Sequence, residues 1–398
     1  MKPFTTQRLV RNLCCFLFPL LSLFFLPAWI CTVLSGKLLD QDPETIREMS
    51  KGMTRWTDGT LTLDDLSTGN ALFDGEWFFG TFQMAAMGYG QSCILGVLEP
   101  ETALERMEEC FVLLRSAPVR EFDVRIWKSD PLEDLEIDTN HHVAYLGYYN
   151  LAMSLAREIQ RRHPEARGIS QETVQLNDAI SRALARRFQL EHPDLLQTYP
   201  GQYYPVDNVA AIASVGLYAK ATDTVEFDGI LAAWEQSCWD LWVDKSSGLL
   251  YQSAIKGRDP LDVGRVSGTA LSAYFLAYSH PELSAELSAS CFSLSDAPLG
   301  FGMLREYPRG SRRNGDIDSG PILFGYGVTA TGVSISNARI HGEKNLLRKL
   351  LRTAVLAGAP ARSQNEWHWI TGGSIGDAIL FAMMTAPPLD LIHPEEGR

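Results

Sequence analysis

Two carboxylates stand one residue apart in Asn314–Pro321, "NGDIDSGP", a glycine-bounded turn that runs into the apolar segment "ILFGYGVTATGVSISNA". A surface turn uses Asp316 and Asp318 for backbone hydrogen bonds. A cleft uses them as acid, base or nucleophile against a C–O bond. Both uses stay open, because Asp318 or Ser319 can cap a following helix with Pro321 in its first turn, while Asp316 is left to the nearby arginines or to a substrate. Asp207, behind Tyr203, Tyr204 and Pro205, is either a helix cap or an acid whose pKa the aromatic wall raises. Glu76 in "DGEWFFG" is an ordinary first-turn glutamate or a second carboxylate. His141 and His142 follow the acidic stretch Asp130–Asp138 and are caps or acid/base groups for neutral pH. Adjacent helical residues project about 100° apart, so one of the pair faces a given site, and His142 is the candidate. The pair lacks the i,i+4 spacing of a helical metal site, and no metal or cofactor signature occurs elsewhere.

Residues this far apart need a scaffold that gathers them, and two alternating kinds of helix supply one. Trp77–Gly96, His142–Ala156, Asn208–Ala221, Gly264–Tyr278, Pro321–Ala338 and Ser374–Ala386 are nearly uncharged and rich in Gly, Ala and aromatics, which predicts burial on every side. Glu44–Trp56, Pro100–Leu114, Ser170–Arg187, Val225–Trp239, Pro281–Phe292 and Glu343–Val355 are amphipathic. The buried set recurs about every 50 to 70 residues, which reads as repeated helix pairs. The spacing predicts an all-α fold, an (α/α)6 barrel of six inner and six outer helices, with short hairpins at Gly248–Ile255 and Gly302–Tyr307 lining its mouth.

In such a barrel the loops leading into the inner helices meet at one end, where helix N-termini add positive dipole ends. The candidate catalytic set is therefore Glu76, His142, Asp207, Asp316 and Asp318. Trp77, His141, Tyr203, Tyr204, Tyr251 and Trp367 are candidate walls for a substrate, and Arg265 and Arg305 candidate polar anchors.

With 45% hydrophobic and 21% charged residues the chain has material for a large core and too little charge for general disorder. A net charge of −13 excludes a nucleic-acid binder, since no basic field gathers phosphates. Leu13 to Leu34 is uncharged and long enough to cross a bilayer. Lys2, Arg8 and Arg11 precede it and Asp40, Asp42 and Glu44 follow, so the expectation is an uncleaved signal-anchor helix at 1–36, with the barrel at 43–390 outside the cytoplasm. A cleaved signal peptide is the competing reading. The body's cysteines, Cys93, Cys110, Cys238 and Cys291, are widely spaced, which suits burial as single thiols.

Three runs, Lys128–Ala156, Tyr199–Asp223 and Leu304–Arg339, resemble in order and spacing the linalool dehydratase/isomerase family, over about residues 70–386. The resemblance implies an (α/α)6 barrel and metal-free acid/base dehydration and isomerisation of a hydroxylated substrate, with His142 at the family's histidine position. The family's cysteines do not carry over: the matching stretch holds Thr198 and Asp207, and no cysteine lies between Cys110 and Cys238. The expectation is a lyase or isomerase acting on a C–O bond of a small hydroxylated molecule. A carbohydrate-active barrel, a glycoside hydrolase or epimerase using paired carboxylates on a glycan, is the first alternative. A non-catalytic membrane-anchored binding protein is the second, and it requires every acid at the mouth to be ion-paired and no cavity to lie among them.

Overall fold

A computed structural model describes residues 4–311 and 313–394, without the side chains of 4–10, 13–14, 19–21 and 23–25. In chain order the helices are α1 (Phe4–Leu39), α2 (Pro43–Thr57), α3 (Ala71–Ile94), α4 (Pro100–Leu114), α5 (Ala117–Trp127), α6 (Val143–Arg162) and α7 (Gln171–Glu191). They continue with α8 (Pro205–Thr222), α9 (Asp228–Ser237), α10 (Val266–Leu276), α11 (Pro281–Phe292), α12 (Val328–Ile340), α13 (Lys344–Gly358) and α14 (Gly373–Thr385). The uncharged helices pack in the order α3, α6, α8, α10, α12, α14 and back to α3, a closed inner ring. Helices α2, α4, α7, α9, α11 and α13 surround it, so the predicted (α/α)6 barrel is the fold.

Small residues let the inner helices approach closely. A Cβ added to Gly147 on α6 would lie 3.0 Å from the Cα and backbone N of Ala211 on α8. Polar side chains inside the layers are paired with one another: Asn150 of α6 donates to Ser214 of α8 at 2.8 Å and to Ser181 of α7 at 3.0 Å, and accepts from Asn177 at 2.8 Å. A buried amide joining three helices in this way satisfies groups that would otherwise oppose burial.

Four antiparallel hairpins interrupt the helices: β1 (Ala254–Ile255) with β2 (Asp259–Pro260), β3 (Ser295–Asp296) with β4 (Met303–Leu304), β5 (Ile322–Leu323) with β6 (Tyr326–Gly327), and β7 (Pro360–Ser363) with β8 (Glu366–Trp369). The two expected hairpin sequences contain β1 and β4. The pair β5–β6 corrects the fifth inner helix, which starts at Val328 and not at Pro321. Phe324 and Gly325 turn the chain with φ of 55° and 89°, the positive values that a two-residue hairpin loop needs. Asp318 and Ser319 therefore cap no helix.

The membrane expectation finds no support: no helix, among the described residues, is long and apolar enough to cross a membrane. Lys2 and several side chains of the 13–34 segment lie outside the described residues. The later turns of α1 serve as a packing face for the body: Ala28, Cys31, Ser35 and Leu38 are buried, and the helix lies along α13. Arg339 caps it by donating to the carbonyls of Leu38 and Leu39 at 2.8 and 3.1 Å. Cys93, Cys110, Cys238 and Cys291 are buried free thiols.

Because α6 and α8 touch through Gly147, Gly147→Val should destabilise the barrel by about 1–3 kcal/mol through overpacking. Denaturant unfolding checks this; an unchanged midpoint would mean that the helices are not locked at that contact.

Candidate active site

The starts of α3 and α8 and the loop before β5 carry the acids of the mouth, and the start of α10 carries Arg265. Glu76 lies in the second turn of α3, and the Tyr199 hydroxyl donates to its Oε1. Burial pushes its pKa up to about 8; the Tyr199 bond pulls it down, and the charges of Asp318, Asp207 and Asp123 push it further up. Asp207, in the first turn of α8, accepts from the Tyr148 hydroxyl at 2.8 Å and the Thr198 hydroxyl at 2.9 Å. Burial raises it to about 6 against those two bonds, and the charge of Asp318 adds to the rise. Among the described residues neither acid has a basic ion-pair partner. Both stay partly open to water, as groups at the floor of an open mouth do.

Asp318 is held differently. Arg265, at the start of α10 and 3% exposed, reaches Asp316 at 2.5 Å and Asp318 at 3.4 Å. Its Nε lies 3.9 Å from Glu306, which is fully buried and accepts from the Ser267 hydroxyl at 2.5 Å. Asp318 has a half-exposed side chain, yet crowding in the mouth raises its pKa despite Arg265. Burial would raise Asp316 too, but the Ser319 N–H and Arg265 hold it below the usual carboxylate range. Tyr204 feels the charges of Asp207, Asp318 and Glu76, after burial, in a raised hydroxyl pKa.

His142 sits in the wall, fully buried, with φ of 48° at the start of α6. Its Nδ1 meets Asp123 of α5 at 2.5 Å and its Nε2 meets Asp134 at 3.2 Å, with the Trp127 ring 4.6 Å away. Both ring nitrogens are engaged, so its visible work is to tie α5 and the acidic loop to α6. His141 accepts the Gln197 N–H at 2.8 Å, and burial followed by the Arg187 charge lowers it to about 4, which keeps it neutral. Trp77, Tyr203 and Tyr251 are partly buried. Arg305 is bound to Asp296 at 3.0 Å and stacks 4.9 Å from the Tyr326 ring, away from the acids. Trp367 packs on Trp369 at 5.6 Å beside Met49 and Met53, against the outer helix α2, where an empty volume of about 170 Å³ remains. A second space of about 400 Å³, open to solvent, is lined by Gly75, Glu121, Phe122 and Ile126.

Tyr148, Tyr199 and Glu306 are site residues that sequence reasoning passed over. Glu306 had a readable signal: Leu304 and Glu306 are fully buried while Arg305 between them is not, the period-two alternation of an extended strand. The tyrosines had none, since each is one of several in its run. Among the described residues no group of three or more His, Cys, Asp or Glu side chains could hold a metal ion.

No family pattern matches the chain, and no curated protein matches it. Solved structures do. An inactive variant of the GH76A alpha-1,6-mannanase of Salegentibacter sp. HEL1_6, in complex with alpha-1,6-mannotetrose, aligns with a TM-score of 0.51 at 10% identity, over 85% of this chain and 97% of that one. The unsaturated glucuronyl hydrolase of Bacillus sp. GL1 aligns at 0.43 and 13% identity, over 87% and 95%. The first likeness shows the (α/α)6 fold. The expected kinship with linalool dehydratase/isomerase is thereby corrected: the solved structure that aligns is an alpha-1,6-mannanase.

Because the Tyr199 bond favours the ionised form of Glu76, Tyr199→Phe should raise the Glu76 pKa above about 8. Carboxyl infrared difference spectra against a Glu76→Gln control would show it; a lower value would mean that Tyr199 does not hold this acid.

Proposed function

We propose that this chain is a carbohydrate-active enzyme of the (α/α)6-barrel type, a glycoside hydrolase working with paired carboxylates. The observation that carries the reading is the pair of acids at the helix starts, Glu76 and Asp207, each held by hydroxyls and by no cation among the described residues, with burial raising the first to about 8 and the second to about 6. Between those values one is protonated and the other ionised, the condition for one to give a proton and the other to support the developing positive charge. Glu76 would protonate the glycosidic oxygen as the C1–O bond breaks. The Asp207 carboxylate would stabilise the sugar cation and take a proton from the water that adds to C1. Asp207 then releases that proton to solvent, and Glu76 regains one from it.

The likeness to the mannanase supports the class of substrate as well, since that structure holds alpha-1,6-mannotetrose. That enzyme's inactive variant carries alanine at two adjacent aspartates. Here the adjacent pair Asp64–Asp65 is exposed, with Asp65 bound to the Thr62 N–H at 2.8 Å; the working acids would come instead from separate helices. The charge asymmetry around residues 13–34 supports an extracytoplasmic body. Protease added to intact cells should then digest the barrel, and complete protection would overturn that placement.

The pH profile tests the acid assignment. Turnover should fall below about 6 as Asp207 is protonated and above about 8 as Glu76 loses its proton. Glu76→Gln should lower kcat by about 10²–10⁴ and remove the alkaline limb. Near-normal activity with that limb intact in Glu76→Gln would sink the assignment.

A further inference from the structure

We propose that the mouth accepts uncharged or positively charged saccharides and turns away carboxylated or sulfated ones, because Arg265, the guanidinium that stands among its acids in the described residues, is already surrounded by the protein's own carboxylates. The inference rests on the glycoside hydrolase reading and specifies its substrate class.

Recognition of an anionic sugar calls for a cation with free N–H groups facing the ligand, commonly an arginine that can grip a carboxylate with two bonds. Arg265 is the guanidinium beside the acids, and it is committed. Asp316 takes Nη1 at 2.5 Å, Asp318 lies 3.4 Å from Nη2, and Glu306 stands 3.9 Å behind Nε. With 3% of its side chain exposed, it offers no open face to a ligand.

Several other arginines of the surrounding loops are paired as well, among the described residues. Arg120 binds Asp130 at 3.0 Å, Arg309 and Arg305 share Asp296 at 2.7 and 3.0 Å, and Arg313 binds Asp262. The charges that act most strongly on Glu76 and Asp207 come from carboxylates. A ligand carboxylate brought here would meet Asp207 and Asp318 as like charges, with no partner for its own. A hexose hydroxyl, by contrast, can donate to those same oxygens.

Calorimetric titration of the full chain with thio-linked tetrasaccharides, which are not cleaved, tests this. One probe is built of neutral hexoses and the other of hexuronates with the same linkage. At low salt and neutral pH the hexuronate should bind at least about tenfold more weakly. The gap should narrow in high salt, and also in Asp318→Asn, which removes one like charge and loosens Arg265. Equal or tighter binding of the hexuronate overturns the proposal while leaving glycan binding intact. Binding of neither probe overturns the glycoside hydrolase reading and this inference with it.

Discussion

Helices such as α8 and α10 have no charged face, so each loses free energy wherever water reaches its side. A closed inner ring with a second ring outside leaves none of them at an edge. Closure also fixes where polar groups can go. Side chains within the layers must be small, apolar or mutually bonded, as Asn150, Asn177, Ser181 and Ser214 are. The chemistry is left to the helix starts, where backbone N–H groups are free and the chain can carry charge into a concave space.

At that mouth the protein treats its acids in two opposed ways. Asp316 is pinned to Arg265 and stays ionised, a structural use of charge that fixes the loop before β5. Glu76 and Asp207 are given tyrosine and threonine hydroxyls in place of cations. A hydroxyl satisfies an oxygen without contributing a positive charge, so burial still raises the pKa. An arginine in the place of Tyr199 would hold Glu76 ionised and leave the site without a proton donor at neutral pH. The binding-protein reading needs all the acids paired, and among the described residues Arg265 pairs with Asp316, Asp318 and Glu306 while Glu76 and Asp207 have no cation.

The alternation of uncharged and amphipathic segments made the barrel legible, because burial on all sides leaves a compositional trace. The loops that lead into the inner helices are legible as the candidate site for the same reason. Less could be read where partners are distant in sequence: Tyr199 reaches Glu76 across more than a hundred residues, and nothing near either marks the pairing. His142 looked like an acid/base group because its partners Asp123 and Asp134, on α5 and in a loop, are visible only in three dimensions. The turn of β5–β6 uses Phe324–Gly325 instead of the usual Asn-Gly, so Pro321 was read as the start of a helix. The kinship with linalool dehydratase/isomerase rested on runs that cross helix starts and inner helices. Any barrel of this type fills those positions with glycine, aromatics and aspartate, so the likeness reported the architecture and not the chemistry.

The raised acids also bear on how the molecule holds together. Glu76 has an ordinary value of 4.5 and about 8 in the fold; Asp207 has 3.8 and about 6. Between each pair of values the folded state binds a proton that the unfolded chain has released. The stability linked to protonated Glu76 is therefore full below 4.5 and is lost as pH rises toward 8, and that of Asp207 is lost between 3.8 and 6. Asp316 works in the other direction: lowered in the fold, its contribution is present above 3.8 and lost as pH falls. At neutral pH the mouth thus opposes folding through two groups and supports it through a third. The net burden falls on the buried rings, and a chain whose inner helices expose almost no polar surface can carry acids kept away from their preferred charge state.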